Sequence, residues 1–490
     1  MPILTTPRRR SPACVRTLAF LALAGPALSV SCLADELPPP LPPLAHVTRY
    51  LTARDTTARL EAVPIGKVLS STNPKDLASI RVDPKVRYQE IVGFGGAFTD
   101  SAGYVLSKMP AAKQEEILNA YFDPVKGNGY TLCRTHINSC DFSLENYAYD
   151  ETPGDVDLKN FSIERDRKYL IPMIRRAQEI SHNGFKLFAS PWSPPFWMKT
   201  NGEMNHGGKL KPEDRDAWAR YFVRYIQEYA KENIPIWGVT VQNEPAATQA
   251  WDSCIYSGEE ERDFVRDHLG PTFAKAGLDT HIMVWDHNRD IMYERAKAVL
   301  DDPNAAKYVW GVAFHWYVAD AFDNVERVHD AWPDKKVLLT EGCQEGGPHV
   351  TEWAVGERYA RSMIEDLNHW SVGWVDWNMV LDQQGGPNHV GNFTGAPIIA
   401  NTDTGEVSYQ SSYYYIGQFS KFIKPGAVRV LAAQSSDSLE TTAFVNPDGS
   451  TVVVVMNRTE LPVRFELRLG TQAAQMDAPQ RSIQTVVVNP

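Results

Sequence analysis

The 490-residue chain has few cysteines, no excess of basic charge and no apolar run long enough to cross a bilayer, and each shortage removes a class of function. Of its six cysteines, Cys14 and Cys32 fall in an N-terminal leader. Cys133, Cys140, Cys254 and Cys343 are scattered, so the spacing writes no disulfide framework and buried free thiols are the expected state. Cys133 and Cys343 lie inside strand-like runs. Neither His-Glu-x-x-His nor a paired Cys-x-x-Cys occurs, so no metal and no cofactor is expected. The run Asp286-His287-Asn288-Arg289-Asp290 reads as a turn and helix cap rather than a cation site. The formal net charge of −11, with no basic stripe to offset it, argues against nucleic acid as a partner. No internal repeat or low-complexity tract appears beyond the prolines.

What is present begins with an export pattern. Arg8-Arg9-Arg10 and Arg16 form a basic region, and Leu18 to Val30 an apolar one, too short and too broken by Gly25 and Pro26 to span a membrane. The residues before Cys32 fit a lipid-modification signal poorly. Cleavage near Ala34, giving a periplasmic or secreted product, is the expectation. On this reading residues 1–34 are a signal peptide and 35–46 a stiff proline-rich linker.

Residues 47–88 carry alternating patterns, such as Ala58 to Val63 and Ala78 to Val82, that suit an antiparallel sheet with one wet face. From 89 to 424 strand, loop and amphipathic helix alternate. Eight strands are expected at Ile91–Phe98, Tyr130–Ile137, Lys186–Ser193, Ile236–Glu244, His281–His287, Val309–Tyr317, Lys336–Cys343 and Val372–Leu381. Helices are expected between them, as at Pro110–Tyr121, Glu164–Ser181, Pro212–Glu232, Glu259–Ala276 and Thr351–His369. Eight such units predict an α/β fold, a (β/α)8 TIM barrel. Residues 425–490 return to short alternating strands with a turn at Asn446-Pro447-Asp448-Gly449. The two terminal β segments, 47–88 and 425–490, are therefore expected to build one accessory β-sandwich.

Two glutamates carry the chemistry. Glu244 and Glu341 each close a β-branched apolar run and each is followed at once by turn residues. On a barrel this is the catalytic end of a strand. One such glutamate is as well explained by capping a neighbouring backbone; two facing carboxylates are the minimum equipment for cleaving a glycosidic bond. Two like charges a few Å apart cannot both ionise easily, so one is expected to keep a proton. Glu244 is assigned the raised pKa and the role of acid, then base, and Glu341 that of ionised nucleophile.

Longer stretches carry a resemblance. Gly93 to Asp100, Ser139 to Ser143, Ala189 to Pro194, Asn243-Glu244-Pro245, His315-Trp316-Tyr317, Asp376-Trp377-Asn378 and Gly385 to Asn388 resemble, in order, the glucosylceramidases of glycoside hydrolase family 30. The resemblance runs from about Tyr88 to Asn457. It implies acid/base and nucleophile roles for Glu244 and Glu341, and a grip on the outer glucose hydroxyls by Asp141 and Trp192. It further implies a contact from Asn243 to the sugar 2-hydroxyl, pocket walls at Trp377 and Asn392, and supporting or rim positions for Arg134, His315 and Tyr317. Competing readings put Trp192 and Trp377 in the barrel core, pair Arg134 with a buried carboxylate and make His315 a structural histidine. The loop Ala246 to Tyr256 is shorter than its mammalian counterpart, with Trp251 and Cys254 its only landmarks. Asn392-Phe393-Thr394 spells a glycosylation sequon but reads as part of the site.

The function these features imply is a retaining exo-β-glucosidase of the glucosylceramidase type, taking a β-glucoside or glycosphingolipid. A lipid substrate would bring transient contact with a membrane surface. Endo-acting β-1,6-glucanase or xylanase is the alternative within the family, and Asp141 opposes it by closing the pocket. A catalytically silent sugar-binding protein is disfavoured, since binding needs no second buried carboxylate.

Overall fold

The computed structural model describes residues 41–65, 77–182 and 184–490. The leader, the first half of the linker and residues 66–76 of the first β segment lie outside these. Eight parallel strands close into a barrel: Gly93–Phe98, Leu132–Ile137, Lys186–Pro191, Gly238–Thr240, His281–Asn288, Val309–His315, Lys336–Glu341 and Ser371–Asn378. The strands are buried almost throughout, as continuous apolar runs between a packed interior and a ring of helices must be. Leu132, Phe188, Met283, Ala313, Leu338, Val372 and Val375 fill the centre, so the barrel is a core and not a pore.

The helices start where local chemistry tells them to. Thr99 caps Asp100–Lys108 by accepting from the Ala102 N–H. Ser257 and Glu260 make a reciprocal capping box for Gly258–Phe264. That helix widens to a π-turn over Val265–Leu269, continues as Gly270–Ala276 and stops at Gly277, which takes the left-handed conformation there.

Both chain ends meet in one nine-stranded sheet. Val47–Ala53 pairs along its whole length with Ser482–Val488, and Ala78–Glu90 lies between Val428–Gln434 and Val463–Leu469. Alternation divides the sheet's two faces. Val453, Val455 and Val486 join Ile80, Val82, Phe465 and Leu467 in a core of the sheet's own, while Val452, Val454 and Met456 join the barrel's core. The barrel and the sandwich built from both termini are thus as the sequence implies. Among the described residues no helix is long and apolar enough to cross a membrane.

Three expectations need correction. The fourth barrel strand ends at Thr240, so Glu244 sits four residues past it, at φ +48, in a turn. The eighth ends at Asn378, and Val380–Leu381 leaves the barrel for a small separate sheet with Ile398–Ala400 and Val407–Tyr409. Residues 54–60 form a turn rather than strand, leaving only Glu61–Val63 extended. A strand at Gln472–Ala478, which pairs at the sheet's edge, is missing from the sequence reading.

Gly95 shows how tightly the barrel is closed. A Cβ there would lie 1.8 Å from the Leu132 carbonyl oxygen, a backbone atom with nowhere to go. Gly95→Ala should therefore cost at least the ~1–3 kcal/mol of an overpacked core. Denaturant unfolding measures it; an unchanged midpoint would refute the close approach.

Candidate active site

A cavity of about 420 Å3 opens at the C-terminal ends of the strands. Glu244, Glu341, Asp141, Trp192, Asn243, Tyr317, Trp377 and Asn392 all line it. Arg134 and His315 do not: both are fully buried behind the glutamates. They therefore support the carboxylates and do not form the pocket's rim. A larger cleft of about 680 Å3, lined by Val92, Thr131 and Lys186 among others, lies at the opposite end of the barrel and presents no carboxylate.

The two glutamates are held by different partners. Glu341 ends its strand, and Tyr317 Oη donates to its Oε1 at 2.8 Å while Arg134 Nη1 donates to its Oε2. Glu244 accepts on Oε1 from His315 Nδ1, 3.3 Å away, and on Oε2 from Gln249 Nε2 at 3.2 Å. One oxygen of each carboxylate and a ring nitrogen of His315 lie within 4.8 Å of one another.

Behind them stands Asp286, inside the expected fifth strand and at the head of the run read as a turn and helix cap. Trp285 and Asp286 take positive φ values of 76° and 54° there, and the register shifts against the sixth strand. This bulge aims the carboxylate at the functional side. Arg134 Nη2 donates to it at 2.7 Å, Thr240 and Thr340 Oγ1 at 2.6 Å each, and His315 Nε2 at 3.0 Å. Arg134 Nη2 also donates to Asn243 Oδ1 at 2.9 Å, which leaves the Asn243 amide N–H groups free toward the cavity.

These contacts decide where protons reside. Burial alone would raise the Glu244 carboxyl, but the bond from His315, the charges of His287 and His315 and the bond from Gln249 together outweigh it and hold the group at about 2. Burial would lower His315; the charge of Glu341 and the bonds to Asp286 and Glu244 lift it to about 9. Arg134 and His315 keep Asp286 ionised against its burial. Burial leaves Glu341 raised, with His315 and Arg134 pulling against it. The expectation that Glu244 itself keeps the proton is thus corrected. The proton rests on His315, one hydrogen bond away, because a histidine between two carboxylates outcompetes either of them.

The remainder of the cavity is a closed, aromatic end. Trp192 and Trp377 stack at 5.0 Å and 21°, with the Arg134 guanidinium 4.7 Å and 5.4 Å from their rings. They pack with Phe142 and Ala97 and also line the cavity, so the core and pocket readings both hold. Asp141, 5% exposed, takes a bond from Asn388 Nδ2 at 3.2 Å. Its burial and the charges of Glu341, Asp252 and Glu244 push its carboxyl well up. Asn392 stands at the mouth beside it, and its backbone N–H donates to Asn388 Oδ1. Asp286, Asn388, Gln249 and the two threonines escaped the sequence reading. All four cysteines among the described residues are buried and free. The Glu244, His315 and Glu341 cluster is a candidate cation site by proximity alone. The Arg134 guanidinium already neutralises Glu341, and both His315 nitrogens face carboxylates, so the donor set fits poorly.

Residues 91–423 match the glycosyl hydrolase family 30 TIM-barrel domain, and residues 426–486 the family's beta sandwich domain. A lysosomal acid glucosylceramidase of Mus musculus is 38% identical over 444 residues, 87% of this chain and 85% of its own length. An endo-1,6-beta-D-glucanase of Neurospora crassa is 31% identical over 408 residues, 79% of this chain and 83% of its own. The crystal structure of SrfJ from Salmonella typhimurium superimposes with a TM-score of 0.84 at 36% identity, covering 91% of this chain and 100% of that one.

The His315 network can be tested directly. The imidazole should keep its second proton until the pH rises to about 9. Asp286→Asn removes a carboxylate that favours the charged ring, so deprotonation should move to lower pH. Nitrogen NMR of the labelled imidazole reads this, and an unmoved titration in the variant would break the argument.

Proposed function

The chain belongs to glycosyl hydrolase family 30, and from that premise we propose that it is a retaining exo-β-glucosidase of the glucosylceramidase type. The observation that carries the reading is the close approach of Glu244 and Glu341, with oxygens within 4.8 Å. Retaining glycosidases hold their carboxyl groups ~5–5.5 Å apart, whereas inverting ones need ~6.5–9.5 Å to admit a water.

The two partner sets divide the work. Arg134 and Tyr317 aim Glu341 at the anomeric carbon, and their donors favour its carboxylate form against the burial that raises it. As the Glu341 oxygen bonds to that carbon, the bond to the aglycone oxygen breaks and its electron pair leaves with the aglycone. Glu244 delivers to that oxygen a proton drawn from His315 and is left as carboxylate. In the second step Glu244 takes a proton from water, the water oxygen attacks the anomeric carbon and Glu341 departs as carboxylate. Asn243 presents its amide toward the sugar 2-hydroxyl from a position set by Arg134.

Asp141 supports the exo reading. It closes the cavity, and outer sugar hydroxyls that donate to it favour its ionised form, the state its carboxylate neighbours oppose. The mouth supports an apolar aglycone. Val318, Val350, Val390 and Phe393 are between 36% and 65% exposed, on the loops after the sixth, seventh and eighth strands. Such a rim suits a glycosphingolipid and transient contact with the membrane surface that holds it. The Neurospora glucanase keeps the endo-β-1,6-glucanase reading as the alternative. The basic and apolar leader supports export to the periplasm or medium as the setting.

Proton NMR of the first sugar released should show β-glucose before mutarotation; α-glucose first would end the two-step mechanism. Glu341→Ala should lose activity that azide partly restores, giving the α-glucosyl azide. Azide on Glu244→Ala giving that same product would reverse the roles.

Asp141→Ala should lower kcat/KM on the order of a hundredfold or more. Two charge-assisted hydrogen bonds of ~1.5–3 kcal/mol each are removed, and each 1.36 kcal/mol is about tenfold. From any oligosaccharide only the monosaccharide should appear early. Early internal fragments from β-1,6-glucan would move the endo reading to the front.

A further inference from the structure

The Glu244 backbone is pinned at its N–H, which donates to the Asp286 carbonyl at 2.9 Å, but it lies beyond its strand at φ +48, a conformation that disfavours any side chain with a Cβ. The carboxylate is aimed by side chains: His315 on Oε1, with His287 Nε2 3.7 Å from the same oxygen, and Gln249 on Oε2. Gln249 belongs to the shortened loop 246–256, which the mechanism above leaves without a task.

That loop is built to hold Gln249 still. The Gln249 N–H donates to Ser253 Oγ at 3.2 Å, and its carbonyl accepts from the His206 N–H at 2.9 Å. Ser253 is gripped in turn: its carbonyl accepts from the fully buried Lys199 ammonium at 2.6 Å, and its Oγ accepts from the Gly207 N–H at 2.9 Å. The neighbouring Asp252, 1% exposed, accepts from Ser139 and from Asn146 at 2.9 Å and faces His389 at 3.4 Å. A buried ammonium and a buried carboxylate are costly groups to place in a loop unless its geometry matters.

We propose that Gln249 is a positioning residue for Glu244, holding its carboxyl in line with the leaving-group oxygen through both of its protonation states. An amide can do this where a simple donor cannot. Its N–H groups serve the carboxylate, and after a half-turn its carbonyl accepts from the carboxylic acid. Glu244 changes protonation state twice in each turnover, so a partner with only one polarity would be wrong half the time. Gln249 acts through Glu244, and the inference rests on the acid/base reading of that residue.

The test is the leaving-group dependence of kcat/KM over β-glucosides running from dinitrophenyl, which departs unaided, to alkyl, which must be protonated. Gln249→Met keeps the length of the side chain and removes its hydrogen bonds. It should lose about tenfold on alkyl glucosides, a fraction of the 10²–10⁴-fold that general acid–base catalysis contributes, and less than twofold on the dinitrophenyl glucoside. A loss equal across the series, as loop damage would give, overturns the proposal, and so does no loss at all. Gln249→Ala is read in the same series, so that a folding defect in one variant leaves the other to decide. Glu244→Ala runs alongside. If its own dependence is flat, the acid/base reading fails; if it is steep while the Gln249 variants are flat, only the role of Gln249 falls.

Discussion

Arg134 brings a full positive charge into the barrel wall with none of its surface exposed, and what it meets there arranges the rest of the site. It divides its donors among Asp286, Glu341, Asn243 and Ser190, which stand on or just past four different barrel strands. A buried ion pair gains little unless every remaining lone pair is satisfied, and removing one partner typically costs ~3–5 kcal/mol. Asp286 meets that condition, with two threonine hydroxyls and His315 completing its shell. The ion pair thus doubles as a ruler. It fixes how far the fifth and seventh strands' functional groups stand from the second, and with that the gap between Glu244 and Glu341.

The same pair solves a problem of charge. Asp286, Glu341 and Glu244 would repel one another strongly in so small a space. Arg134 neutralises one charge, and the proton held on His315 neutralises another. A glutamate held alone in an apolar wall would store that proton itself. Here a histidine stores it, so Glu244 can give up and recover a proton without leaving an uncompensated charge behind. The contrasting partners of the two glutamates, a guanidinium for one and an imidazole for the other, separate the proposed nucleophile from the proposed acid more firmly than their own pKa values do.

Much of this was legible in sequence, and the illegible part has a common cause. The eight strands show as apolar runs because parallel strands are buried on both faces, and the terminal segments show as alternation because one sheet face meets a different environment from the other. Glu341 shows because it breaks such a run at its end. Glu244 was found for nearly the right reason, although its strand stops four residues earlier. Asp286 was placed on its strand but not in the site, because the bulge that turns it inward leaves no mark in the pattern. Arg134 and His315 were recognised as supporting or rim positions, and only their burial decides between the two. Periodicity tells which residues point into a barrel, not how deep they stop. Gln249 leaves no local mark, since its contact with Glu244 depends on a loop held by Lys199, which comes from a distant part of the sequence.

The cavity is finally two surfaces with different logic. Its floor is made of strand ends and near-strand residues whose contacts are over-determined: Asp141 by Asn388, Trp192 by Trp377 and Arg134, Asn243 by Arg134. Its rim is made of loops: Val318 lines the cavity, and Val350, Val390 and Phe393 are exposed on the loops that also supply Glu345, Asn392 and Thr394 to the lining. A rigid polar floor discriminates by leaving buried groups unpaired when a hydroxyl is missing or misplaced, which is worth several powers of ten. An apolar rim discriminates weakly, because a methylene more or less is worth only ~1–3 kcal/mol. Selection for the sugar and tolerance toward what is attached to it therefore follow from where each surface comes from in the fold. The barrel specifies the glucose end, and the loops, free to change length without disturbing Arg134, set the aglycone.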